Sequence, residues 1–209
     1  NYGYLWDGVW QLDEAEEAAK HKTQPGYIKI KDISGPDGVP DGILSPEYDR
    51  IIIGQRDPKF IWGMNNSVSF KNLTFNVFVH GMHGMTKNNS LLSDDVGRTV
   101  RLTTTKKNWW RPDNPTNDWY MNAVDASRQE GYTADPYEKA GFIRIKDVSL
   151  AYDFSKAVLS RYGFGKLQVY LTGRNLFTFT RYGGMDPELS EQRDIPLQKE
   201  YVIGLNLEF

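Results

Sequence analysis

The chain has 209 residues with 25 Lys and Arg against 27 Asp and Glu, a net charge of -2. That balance gives no electrostatic case for a nucleic-acid partner, and the absence of cysteine excludes disulfides and thiolate metal sites. No apolar run approaches the roughly 18–20 residues that a spanning helix needs, a test that does not apply to a β-barrel, where only every second residue faces lipid.

In chain order, residues 1–12 (NYGYLWDGVWQL) are aromatic and punctuated by glycine, as in a packed loop or short extended segment. Residues 13–22 read as a short helix. Asp13 and Glu16 have capping-box spacing, acids fill the first turn, and Lys20 and Lys22 sit in the last. Pro25-Gly26 ends it, and Tyr27 to Lys31 is a brief strand. The acidic stretch 32–49 follows. Asp41-Gly42-Ile43-Leu44-Ser45 has the order of a calcium loop's middle: an acid, a glycine for the turn, a backbone-carbonyl position and an apolar anchor. Asp32, Ser34, Asp37, Asp41 and Asp49 are the candidate oxygen ligands, against the plainer reading of a Gly/Pro-rich turn with solvated acids.

From Phe60 the chain alternates with period two. Phe60, Trp62, Met64, Val68 and Phe70 oppose Gly63, Asn65, Ser67 and Ser69, with Asn66 as the exception. After Lys71-Asn72, Leu73, Phe75, Val77 and Val79 oppose Thr74, Asn76, Phe78 and His80, which makes a long hairpin on a tight turn. Residues 85–140 form a long polar connection rich in Trp and Tyr. Phe142 to Phe154 is the third long strand. Its parity changes between Ile145 and Val148, which predicts a bulge near Lys146-Asp147. Ser155 to Tyr162 reads as a short helix stopped by Gly163, and Leu167 to Phe179 as the fourth strand. After the polar connection 181–200, Tyr201, Ile203, Leu205, Leu207 and Phe209 alternate strictly with Val202, Gly204, Asn206 and Glu208.

Short connections alternate with long ones, as in outer-membrane barrels with tight turns on one rim and long loops on the other. Five strands cannot close a barrel, since the smallest have about eight. The expectation is therefore an all-β fold supplying the C-terminal strands of a larger barrel. Residues 1–58 form an extracellular region, 59–209 hold the last five strands, and 85–140 is a long extracellular loop. The chain opens on Asn1 with no signal peptide, so its beginning is expected to lie elsewhere. A soluble carbohydrate-binding β-sandwich with a calcium loop is the alternative, and an outer-membrane enzyme comes third. No catalytic constellation is visible: His80 and His83 point to opposite strand faces, and no G-x-S-x-G or phosphate-cradling loop occurs. The best substrate- or partner-binding candidates are Trp109, Trp110, Trp119 and Tyr120. Aromatic rings stack on the C–H face of a sugar, and they also pack within loops or against a partner.

Several segments resemble the C-terminal portion of SusC-like TonB-dependent transporters of Bacteroidetes. They are NYGYLWDGVWQ, PGYIKIKD, DGILSPEYDR, IIIGQRDPKFIWGMNNSVSFKNLTFNVFVHG, AGFIRIKDVSLAYDFS and LQVYLTGRNLFTFTRYGGMDPE, followed by the terminal strand. The Gly173–Phe177 run with Tyr182–Glu188 is the most specific. The acidic loop departs from the family pattern through the insertion 35–40. The resemblance implies a 22-stranded outer-membrane barrel filled by an N-terminal plug and driven by TonB through the part missing here. It also implies a SusD-like surface lipoprotein as lid and import of oligosaccharides or peptides. A terminal phenylalanine such as Phe209 resembles the signal by which outer-membrane proteins reach their insertion machinery.

Overall fold

A computed structural model describes residues 1–89, 107–123, 125–134, 137–155, 159, 163–189 and 195–209. The strands are β1 (Tyr2–Gly3), β2 (Trp6–Val9), β3 (Ile28–Ile30), β4 (Ile51–Ile52), β5 (Phe60–Phe70) and β6 (Leu73–His83), followed by β7 (Thr86–Asn88), β8 (Tyr137–Lys139), β9 (Phe142–Asp153), β10 (Lys166–Thr180) and β11 (Glu200–Glu208). The five long strands form one antiparallel sheet in the order β11-β10-β9-β6-β5. The short ones make two-stranded ribbons: β1 with β4, β2 with β3, and β7 with β8. Among the described residues no second large sheet packs on the first, so the β-sandwich is not the architecture.

The chain divides into two compact units: residues 1–56 with 86–138, and residues 57–85 with 139–209. The first has its own core. Tyr4, Val9, Ile28, Ile30, Leu44, Trp110, Trp119 and Tyr120 are buried together. The long connection is thus no free loop: its aromatics fold with the N-terminal segment. The helical expectation is met in a shifted form. A 3-10 turn (Leu12–Glu14) leads into α1 (Ala15–Lys20), and Glu14 rather than Glu16 reaches back, accepting the Gln11 N–H at 3.0 Å. The short helix expected at 155–162 lies mostly outside the described residues.

The second unit is the long sheet. β5 and β6 pair in unbroken register from Phe60↔His83 to Phe70↔Leu73, so the turn is Lys71-Asn72, where Lys71 takes a φ of 53°. The parity change in β9 is a bulge: Ile145 pairs Val79 and Asp147 pairs Phe78, which leaves Lys146 as the extra residue. Lys146 and Asp147 then both reach the polar face, Lys146 to Glu188 at 3.1 Å and Asp147 to Arg174 at 3.4 Å. On β10 the register shifts between Arg174 and Phe177, and Asn175 takes a φ of 51°.

Glycines admit aromatic rings across the strands. A Cβ on Gly81 would meet the Trp62 indole, one on Gly63 the Phe78 ring, and one on Gly204 the Tyr170 ring. Tyr170 and Gly204 are paired residues of β10 and β11, so Tyr170 covers the backbone that Gly204 leaves bare. We expect Gly204→Ala to push Tyr170 aside and destabilise the folded sheet by about 1–3 kcal/mol. Tyr170→Ser in the same chain should relieve most of that cost. Urea midpoints of the heat-modifiable folded form, measured on the full-length protein, check this; an unrelieved double variant would contradict it.

Candidate functional site

The five-stranded sheet is two different surfaces back to back. One face is apolar and bare. Phe75, Leu150, Tyr152, Leu171, Phe177, Phe179, Ile203 and Leu205 are all exposed, Ile203 at 79% and Leu205 at 60%. A soluble sheet buries such a face, because exposed apolar area costs about 25 cal/mol per Å². At the end of the hairpin away from its turn, Phe60 and Trp62 stack on His83, and the Trp62 indole N–H donates to His83 Nε2 at 3.0 Å. An amphipathic aromatic cluster of this kind suits the membrane–water interface.

The opposite face is knit by polar side chains. Asn206 donates to Gln168 Oε1 and Gln168 to Asp153 Oδ1, both at 3.0 Å. Asn76 donates to Ser149 Oγ at 3.2 Å. Arg174 lies 3.4 Å from both Asp147 and Glu200. Nearer the end where β9 begins, Arg144 is 1% exposed and contacts Asp186 at 2.6 Å and Glu188 at 2.9 Å. Asp186 and Glu188 lie in the connection after β10, outside any periodic pattern, so alternation alone does not reveal them. As the alternation requires, His80 and His83 part company, His80 packing edge-on against Phe142.

Three of the four aromatic candidates turn inward. Trp110 is 3% exposed, Trp119 8% and Tyr120 4%, and Trp110 donates its indole N–H to Gln11 Oε1 at 2.9 Å. Their placement is that of core residues, since β2 and β3 supply too little apolar surface to bury themselves without them. Trp109 differs in being half-buried; it lines an open groove of about 460 Å³ with Lys107, Asn108, Arg111, Met121 and Asn122, to which the buried Trp110 also contributes. Lys107 Nζ lies 5.1 Å from the Trp109 ring centre and 4.0 Å from that of Trp119.

Of the five expected calcium ligands, Asp32 is placed beside Asp49 and near Asp41. Among the described residues no group of three or more His, Asp or Glu is placed to hold a metal ion. The oxygens serve the loop's own backbone instead. Asp49, fully buried, accepts the N–H groups of Ile33, Ser34 and Ser45. Asp32 accepts that of Gly42, Asp41 that of Ile43, and the Ser34 hydroxyl donates to the Gly35 carbonyl. Asp37 stays exposed. Burial pushes Asp32 above the usual carboxylate range, and the neighbouring Asp49 adds to that. Burial also pushes Asp49 upward, but the three backbone donors and Asp32 outweigh it and hold it below the usual range. The buried Asp32 Oδ1 has no hydrogen-bond partner.

These placements separate Trp110 from Trp109. Trp110→Ala should cost the first unit about 3–5 kcal/mol, as removal of a buried indole does. Trp109→Ala should cost much less. Limited proteolysis of the full-length protein, followed at cleavage sites within 1–56 and 107–134, checks this; equal sensitivity of the two variants would contradict the assignment.

No family model matches the chain. Among curated proteins, TonB-dependent receptor P3 of Formosa agariphila is 30% identical over 208 residues, covering 98% of this chain and 20% of the relative. TonB-dependent receptor SusC of Bacteroides thetaiotaomicron is 24% identical over 173 residues, 77% of this chain and 16% of that protein. Solved structures of the RagAB peptide transporter share the fold. One matches with a TM-score of 0.74 at 23% identity, covering 100% of this chain and 22% of its own. Its closed-closed state matches at 0.73 and 24%, covering 100% and 23%. The chain thus spans about a fifth of the length of these relatives. With an exposed apolar face, a polar face opposite, and near-full alignment to receptors of one kind, the chain belongs to the SusC-like TonB-dependent outer-membrane β-barrel proteins, as a C-terminal portion of the barrel.

Proposed function

We propose that this chain is one sector of the wall of a nutrient importer, with the apolar face in lipid and the polar face lining the substrate path. The observation that carries the reading is the two-faced sheet: bare Leu171, Ile203 and Leu205 on one side, the Asn206–Gln168–Asp153 chain on the other. In this reading a plug and a TonB contact lie in the rest of the protein, and energy from the inner membrane drives uptake. The connections 84–141 and 181–199 leave the same end of the sheet, opposite the Lys71-Asn72 turn, and that end is taken as extracellular. A SusD-like lipoprotein closes over it.

The cargo class we favour is an oligosaccharide. The groove at Trp109 offers an indole beside the amides of Asn108 and Asn122 and the guanidinium of Arg111. An aromatic face meets sugar C–H groups, and amides and cations bond hydroxyls. A peptide is the second reading, favoured by the fold shared with a protein described as a peptide importer.

The test is deletion of the full-length gene and, separately, of tonB in the native bacterium, with growth on single glycans and on peptides as sole nutrients. Loss on one glycan in both strains, and co-purification of a surface lipoprotein with the detergent-solubilised barrel, are expected. Loss only on peptides would replace the saccharide. Unimpaired growth throughout, or a barrel that purifies alone, would overturn the importer reading.

A further inference from the structure

The segment Tyr182–Leu189 follows a strand that crosses the membrane, yet it does not simply lead away from the sheet. It is bound to the polar face of β9 and β10. Arg144 donates from Nε to Thr178 Oγ1 at 3.0 Å, from Nη2 to Asp186 Oδ1 at 2.6 Å and from Nη1 to Glu188 Oε2 at 2.9 Å. Lys146 donates to the other oxygen of Glu188 at 3.1 Å, so two cations meet two carboxylates and the cluster is neutral. Asp186 also accepts the Glu188 N–H at 2.9 Å and, on its second oxygen, the Leu197 N–H at 3.3 Å, which gathers both ends of the connection. Tyr182 is buried with Met85, Ala140 and Phe142, and its N–H donates to Thr180 Oγ1.

A guanidinium 1% exposed is tolerated only with its donors matched, and a carboxylate 8% exposed only with its acceptors matched. Each side of the contact therefore needs the other in place. The extra residue of the β9 bulge is Lys146 itself, so the bulge brings a second cation to the same face.

We propose that Arg144 is a positioning residue of the transport path: its guanidinium holds the Tyr182–Leu189 segment against the water-facing side of the wall, so that this part of the β10–β11 connection is a fixed lining. The proposal rests on reading the polar face as the lumen. Met185 is 56% exposed within the anchored segment.

The test places nitroxide labels at Met185→Cys and Thr172→Cys in the full-length protein, with Thr172 on the polar face of β10. Outer-membrane abundance is recorded for every variant. With Arg144 present, one narrow distance distribution is expected. Arg144→Met should broaden it severalfold at unchanged abundance, Arg144→Lys should give an intermediate width, and Asp186→Asn with Glu188→Gln, which leaves the wall intact, should reproduce the broadening. A narrow distribution in all variants would overturn the proposal. So would loss of abundance in both the Arg144→Met and the carboxamide variants, which would make the cluster an assembly determinant. Relaxation of the Thr172 label by a water-soluble nickel chelate tests the lumen reading separately. Strong relaxation is expected; relaxation by oxygen alone would refute the lining while leaving the anchoring result standing.

Discussion

Everything in the second unit follows from one constraint. A backbone N–H or C=O that faces hydrocarbon must be bonded to another backbone group, because no water is there to take its place. The long strands meet it by pairing over most of their length, from Phe60↔His83 in the first hairpin to Lys166↔Glu208 beside the last strand, with register shifts only in β9 and β10. Once the backbone is paired in a sheet, side chains have only two directions, and a two-residue period separates lipid from water. The sheet's outer strands, β5 and β11, have no further partner among the described residues, so the sheet fits a barrel only by continuing into neighbouring strands.

The polar face shows what that separation permits. Apolar side chains pointing into lipid need no partner, whereas charges on the inner face are held by one another. Asp147, Arg174 and Glu200 link three adjacent strands, and Arg144, Lys146, Asp186 and Glu188 link the wall to a connection. The β9 bulge ties the two together. By adding Lys146 it turns two consecutive residues inward and lets Ile145 and Val148 both stay on the apolar side.

The strands were legible because alternation is a local signal that repeats. The bulge was legible for the same reason. Ile145 and Val148 are three residues apart, so they share a strand face only when one residue between them is extra. The ion cluster was not legible, because Asp186 and Glu188 lie 42 and 44 residues from Arg144 and carry no period that would point to it. The aromatic connection misled in a different way. Trp109, Trp110, Trp119 and Tyr120 look alike in sequence, and whether each ring meets solvent or core depends on where Val9, Ile28 and Ile30 lie, which no spacing within 107–122 encodes. The acidic loop has the residue types of a calcium site, and its Asp49 accepts the backbone N–H groups of Ile33, Ser34 and Ser45, contacts that residue type and spacing do not encode.

The central claim is that one face of this wall meets lipid and the other meets water. The most direct measurement is a nitroxide scan of residues 201–209 in the full-length protein reconstituted in bilayers, comparing relaxation by oxygen with relaxation by a water-soluble nickel chelate at each position. The account predicts oxygen-dominated relaxation at Tyr201, Ile203, Leu205 and Leu207 and nickel-dominated relaxation at Val202 and Asn206, a period of two. Relaxation that varies smoothly along the strand, or that favours nickel at every position, would contradict it.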